Sequence, residues 1–260
     1  MIKYPEISPT ILSIGPFQIR WYGLFYIIGF LTGYYFIKKL YKKRNIDISD
    51  KDYSNFLYDV MLGVVIGGRL GYILFYNLPY YLHNPLKIFA VWEGGMSFHG
   101  GALGVIVAGL IFAKKYHYNF YKLADPAMGM VAIALGLGRL GNFINGELYG
   151  RPTNVPWAMI FPDDPRQLPR HPSQLYEFFF EGILLSAICF YLFKKKVREG
   201  IIFWSFIGFY GVFRIFIEFF REPDPQLGFI LFNRFTMGQI LSSVMILSSI
   251  VGIYFILKKR

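Results

Sequence analysis

Seven apolar runs divide this chain, each about 17 to 25 residues long, the length that crosses a hydrocarbon core about 30 Å thick as a helix. They extend from Trp21 to Ile37, Asn55 to Tyr76, Met96 to Ala113, Pro126 to Phe143, Leu175 to Phe193, Ile201 to Phe220 and Phe235 to Leu257. Such runs leave little room for a soluble fold. With 55% hydrophobic residues, 20% aromatic residues and a mean hydropathy of +0.40, the composition is that of a chain dissolved in lipid. The predicted fold is all-α, a polytopic membrane protein in which residues 1–260 form one domain of seven transmembrane helices.

Basic clusters set the orientation. Lys38, Lys39, Lys42, Lys43 and Arg44 follow the first run, and Lys114 and Lys115 the third. Lys194, Lys195, Lys196 and Arg198 follow the fifth, and Lys258, Lys259 and Arg260 the seventh. Positively charged ends stay on the cytoplasmic side, which puts the N-terminus outside and the C-terminus in the cytoplasm. The outer face then consists of the tail to Arg20, an arm loop over about 77–95, a small cap over about 144–174, and the loop Arg221 to Arg234. Leu78-Pro79-Tyr80-Tyr81 and Val91-Trp92 in the arm have the aromatic character of the headgroup zone. The net charge of +11 lies in these short clusters, which excludes nucleic acid as the expected partner. No short apolar core followed by a small-residue cleavage site precedes the first run, so it is expected to remain as a span. Cys189 is the single cysteine, so no intrachain disulfide forms and any reacting thiol comes from another molecule.

Against this background the polar residues inside the runs stand out, because an arginine at the centre of a membrane helix costs about 2.5 to 3.5 kcal/mol. Arg69, Arg139 and Arg214 carry that cost. Counted from the outer ends, they fall in the outer half together with Tyr22, Tyr72, His99, Asn142, Tyr176, Glu177, Tyr210 and Glu218. Arg214 has Glu218 and Tyr210 one turn away on its own helix, which offsets part of its cost. Arg139 has no acid in its own span; its neighbours are Asn142, Asn145 and, beyond Gly146, Glu147. A phosphate suits its planar fork. His99, between Ser97-Phe98 and two glycines, has an unperturbed pKa near 6.5 and can take a proton from a thiol or hydroxyl. The histidines have no metal-ligand spacing, so no metal site is expected. Gly136, Gly138 and Gly141 imitate the glycines of a dinucleotide-binding turn, but no strand precedes them. Gly67-Gly68-x-x-Gly71 and Gly100-Gly101-x-x-Gly104 read as close helix packing.

The segment Gly138-Arg139-Leu140-Gly141-Asn142-Phe143-Ile144-Asn145-Gly146-Glu147-Leu148-Tyr149-Gly150 resembles the signature of bacterial prolipoprotein diacylglyceryl transferases. The resemblance extends to Trp21-Tyr22-Gly23, Gly67-Gly68-Arg69, Gly94 to Gly101, Arg170-His171-Pro172-Ser173-Gln174-Leu175-Tyr176-Glu177, and Phe213-Arg214 through Arg221. It implies a seven-helix inner-membrane enzyme without cofactor, its active site toward the periplasm. Such an enzyme moves the diacylglyceryl group of phosphatidylglycerol onto the lipobox cysteine of a preprolipoprotein, releasing glycerol phosphate; bilayer lipids surround it. By the same resemblance Arg139 and Arg214 are essential headgroup contacts, and His99, Tyr22, Asn142, Glu147, Gly150, Tyr210 and Glu218 belong to the site. Arg69 and Asn145 complete the expected binding set. The base is left between His99 and Glu147. Ala102 and a short cap between Gly150 and Arg170 depart from the family's usual pattern. From the intramembrane arginines alone, the rival reading is a transporter or channel for an anionic phosphate ester. The nearly apolar inner halves of the spans argue against a through-path, and the last span has no lysine for a retinal Schiff base.

Overall fold

The computed structural model describes residues 2–5, 7–14, 17–223, 229–231 and 235–258. Lys259 and Arg260 of the last basic cluster, and much of the loop Arg221 to Arg234, lie outside the described residues. In chain order the elements are β1 (Thr10–Ile14), β2 (Phe17–Arg20), α1 (Trp21–Lys43), α2 (Asp50–Tyr76), α3 (Leu78–His83), α4 (Phe98–Lys115) and α5 (Phe120–Ile144). They continue with α6 (Ser173–Glu177), a π-helical stretch Phe178–Leu184, α7 (Leu185–Lys194), α8 (Ile201–Glu218), β3 (Phe229–Leu231), β4 (Phe235–Thr236) and α9 (Met237–Lys258). The β-elements form two antiparallel pairs, β1 with β2 and β3 with β4.

Among the described residues, six helical segments are long and apolar enough to cross a membrane: Asp50–Tyr76, Phe98–Lys115, Phe120–Ile144, Ser173–Lys194, Ile201–Glu218 and Met237–Lys258. This is a multi-pass membrane protein. The first expected span is a helix of 23 residues, long enough to cross, but it is not among the six. Trp21, Tyr22, Tyr26, Tyr34 and Tyr35 dilute its apolar character. Leu247, Ile250, Val251, Phe255 and Leu257 on α9 are all more than half exposed. Lipid is the solvent that such a face requires.

The chain divides into two compact units, Tyr41–Ala124 and Met1–Leu40 with Asp125–Arg260. In the first, α2 begins at Ser49, whose side chain accepts from the Asp52 backbone N–H at 3.0 Å, with Asp50 and Asp52 in the first turn. α2 and α4 meet through glycines. A Cβ on Gly71 would lie 2.7 Å from Gly100 Cα, and one on Gly104 would lie 3.0 Å from Gly67 Cα. A side chain at Gly71 or Gly104 would push the backbones apart, as the two glycine patterns suggested.

In the second unit, α5 ends under an apolar cluster of Tyr4, Phe143, Phe161 and Met159 that joins the N-terminal tail to the 145–172 connection. The Tyr4 hydroxyl donates to Phe143 O at 2.6 Å and Ile144 O at 3.2 Å, satisfying carbonyls that the helix leaves open at its C-terminus. At the opposite end of α5, Asp125 accepts from the Gly200 and Phe203 backbone N–H groups at 2.7 and 2.9 Å. One buried carboxylate thereby caps the start of α8 from a different helix. α8 and α9 pack closely; a Cβ on Gly211 would lie 2.8 Å from Ser242 O.

Candidate active site

Six charged side chains converge in the second unit: Arg139 from α5, Glu177 and Glu181 flanking and within the π-helical stretch, Arg214 and Glu218 from α8, and Arg221 just beyond it. Arg139 Nε lies 3.5 Å from Glu177 Oε2, and its Nη2 3.4 Å from Glu181 Oε2. Arg214 Nη1 donates to Glu177 Oε1, and Arg214 Nη2 pairs with Glu218 Oε2 at 3.2 Å. Arg221 stands 3.9 Å from both Glu177 and Glu218. Both Glu177 and Glu181 are completely buried. Burying a carboxylate is costly unless it is paired, and a chain of alternating charges supplies the pairing.

The acid missing from the span of Arg139 is therefore provided by the neighbouring helix. The partners nonetheless leave room. Among the described residues, Arg139 Nη1 and Arg214 Nε make no hydrogen bond, and the two side chains keep 18% and 11% of their exposure. These N–H groups can engage a further anion. Tyr210 is buried within electrostatic reach of Glu181 and Arg139. Glu218 is itself held by the Thr236 hydroxyl, which donates to Oε1 at 2.9 Å.

One turn beyond Arg139 begins a layer of amides. Asn142 Nδ2 and Asn145 Nδ2 donate to Glu147 Oε1 at 2.9 and 3.0 Å. Gly146, at φ +71°, and Leu148, at φ +57°, turn the backbone sharply on each side of Glu147. The Gln174 side-chain amide donates to the Glu147 carbonyl at 2.6 Å. Tyr22 packs against α5 at Gly141, where a Cβ would lie 2.8 Å from Tyr22 Cδ2, and the Tyr22 and Tyr26 hydroxyls are 3.0 Å apart.

The connection after Glu147 is clamped to the end of α8. Gly150 donates to His171 O at 2.8 Å, and a Cβ there would lie 2.7 Å from the same residue, so only glycine fits. Arg151 donates to Arg221 O at 2.9 Å and Glu218 O at 3.3 Å. Arg170 forms a two-point pair with Asp164 at 2.6 and 2.9 Å and reaches Glu222 at 3.0 Å. The Arg170 guanidinium holds the Asp164 carboxyl down at about 2. Trp157 Nε1 donates to the Tyr176 hydroxyl at 2.6 Å, leaving the hydroxyl hydrogen for His171 Nδ1 at 3.1 Å. Burial lowers the His171 pKa, in keeping with a neutral, accepting ring.

Nine expected residues, Tyr22, Arg139, Asn142, Asn145, Glu147, Gly150, Tyr210, Arg214 and Glu218, thus belong to one unit. Arg69 and His99 belong to the Tyr41–Ala124 unit. Arg69 donates to the carbonyls of Lys87, Ile88, Ala90, Gly94 and Gly95 and lies 5.1 Å from the Tyr81 ring centroid, so its guanidinium binds the arm together. His99 follows Ser97, the cap of α4, and is half-buried, its ring edge-on to Phe98. Among the described residues no group of three or more His, Cys, Asp or Glu could hold a metal ion. Glu181, Arg221 and Gln174 escaped the sequence-based site. Glu181 carried the same signal as the arginines, a charge four residues after Glu177 inside an apolar run.

A family profile described as prolipoprotein diacylglyceryl transferase matches residues 9–255. A protein of Geobacter sulfurreducens is 51% identical over 246 residues, covering 95% of this chain and 94% of its own length. One from Pseudomonas fluorescens is 49% identical over 253 residues, covering 96% and 93%. One from Francisella tularensis subsp. novicida is 48% identical over 248 residues, covering 95% and 92%. All three are named phosphatidylglycerol–prolipoprotein diacylglyceryl transferase.

Proposed function

The chain belongs to the prolipoprotein diacylglyceryl transferase family, and from that premise we propose how its buried charge cluster serves the reaction its relatives are named for. The protein transfers the diacylglyceryl group of phosphatidylglycerol to the sulfhydryl of the lipobox cysteine of a preprolipoprotein, releasing glycerol phosphate. The relatives' names give no support to a transporter. The observation that carries the mechanism is the pair of open guanidinium donors, Arg139 Nη1 and Arg214 Nε, on arginines whose other nitrogens are held by buried glutamates.

The two donors take the phosphodiester of the lipid. The thiolate attacks the glyceryl carbon that bears the phosphate; the S–C bond forms, the C–O bond breaks, and the electron pair leaves with the glycerol phosphate. The leaving group gains a negative charge at the arginines, which a site already oriented stabilises more strongly than water does. Glu177, Glu181 and Glu218 keep the forks aimed. The thiol is only a few per cent ionised at pH 7, so its proton is taken by a base, which we assign to His99. Glu147, which takes two amide N–H groups on one carboxylate oxygen, is the second candidate for the base. Seven spans, counting α1, with the N-terminus outside, the C-terminus cytoplasmic and the cap in the periplasm, put this chemistry at the outer leaflet of the inner membrane, where an exported thiol arrives.

Mass spectrometry of a lipobox peptide incubated with the purified protein and phosphatidylglycerol tests the reading. The cysteine gains one diacylglyceryl mass. No gain, together with uptake of a phosphate ester by proteoliposomes, would overturn it.

A further inference from the structure

Gln174 is completely buried, yet its side-chain oxygen has no hydrogen-bond partner. The Asn145 oxygen, at the same node, is in the same condition. Both amides spend their N–H on Glu147, Gln174 on its carbonyl and Asn145 on its carboxylate. A buried acceptor left unmatched is costly, so two of them around one residue call for a donor.

Helix geometry says where that donor sits. Gln174 precedes Glu177 by one turn on α6, and Asn142 follows Arg139 by one turn on α5. The Arg139–Glu177 pair ties these two turns together. Residues three apart share a helix face about 4.5 Å apart along the axis. The node around Glu147, with Gln174 on one side and Asn142 and Asn145 on the other, therefore adjoins the arginine forks. Accepting the phosphate assignment proposed above, the group one step from the phosphorus is the terminal glycerol of the headgroup. It carries two hydroxyls, which are donors without charge. We propose that Gln174, together with Asn145, is a specificity-determining residue, accepting the terminal hydroxyls of a polyol headgroup and so selecting phosphatidylglycerol from lipids that lack them.

The test compares two donors, phosphatidylglycerol and phosphatidylpropanol, which has the same phosphodiester without the hydroxyls. For each, kcat/KM for transfer to a lipobox peptide is measured with the wild-type protein and with Gln174→Leu, Gln174→Met and Asn145→Leu. The wild type prefers phosphatidylglycerol by about ten- to hundredfold, the range set by leaving a buried acceptor unmatched. Gln174→Leu brings the ratio close to one, and Asn145→Leu lowers it in part. If Gln174→Leu does not fold, judged by gel filtration and circular dichroism, the unbranched Gln174→Met gives the same ratio. Equal losses with both lipids, an unchanged ratio, or a rise in KM confined to the peptide would overturn the proposal. Absence of transfer by the wild-type protein from either lipid would instead overturn the reaction itself.

Discussion

Glu177 touches all three arginines of the cluster, so no change there stays local. Glu177→Gln removes a buried charge and leaves the arginines without their shared partner, a loss of about 3 to 5 kcal/mol in comparable buried pairs. The expected outcome is a protein with a markedly lower unfolding temperature in detergent and little transfer activity. Arg139→Lys tests the fork itself: charge is kept, but the planar pair of donors is lost. Its kcat should fall by about 10² to 10³ while the fold is retained, measured by peptide lipidation beside circular dichroism. Arg139 and Arg214 could be read from the sequence because a charge in hydrocarbon must have a reason. That Glu177 and Glu181 partner them could not, because pairing between helices depends on which faces meet. Gln174 stood within the Arg170–Glu177 motif but gave no physical signal of its own, since an uncharged amide at the start of a span costs little there.

At the scale of elements, the seam between α2 and α4 makes opposite predictions for two nearby positions. A Cβ on Gly104 would meet Gly63 C at 2.9 Å and Gly67 Cα at 3.0 Å, whereas one on Gly101 would make an ordinary 3.6 Å contact with Val64 O. Gly104→Ala should therefore destabilise by about 1 to 3 kcal/mol, and Gly101→Ala by no more than about 0.5. Thermal unfolding of the two variants in detergent decides it. The glycine patterns were legible as packing because four-residue spacing of small residues has that one geometric use. The long helices were legible from their apolar length, and α1 shows the edge of that signal, its tyrosines being as compatible with an interface as with a span. The π-helical stretch was not legible, because its sequence, Phe178 to Leu184, has the apolar content of any buried helix.

Over the whole molecule, the connection from Asn145 to Pro172 is held by polar staples, and the Asp164–Arg170 pair gives it a pH dependence. The folded carboxyl titrates near 2 against an ordinary 3.8, so its stabilising contribution is complete above about pH 4 and is lost as pH falls toward 2. Asp164→Asn should unfold at a lower temperature than wild type at pH 6, and the difference should shrink as the pH is lowered through that window. Trp157 fluorescence, from within the same connection, reports it. The order of segments along the chain was readable from apolar runs and basic clusters; the ties between the connection and the end of α8 were not, because Arg151 and Arg170 are unremarkable in an exposed-looking loop. The π-helical turn within the Ser173–Lys194 segment carries a further consequence for how the protein can vary. A π turn accommodates one residue more than an α-helix, and each residue rotates the rest of its helix by about 100°. Deleting Phe179 would give a more regular helix, yet with Glu177 kept in place it would swing Glu181 away from the arginines and Leu185 and Cys189 out of their packing against Ile202 and Tyr210. Length variation among descendants of this sequence is therefore barred from this turn, while point changes on its lipid-facing side remain open.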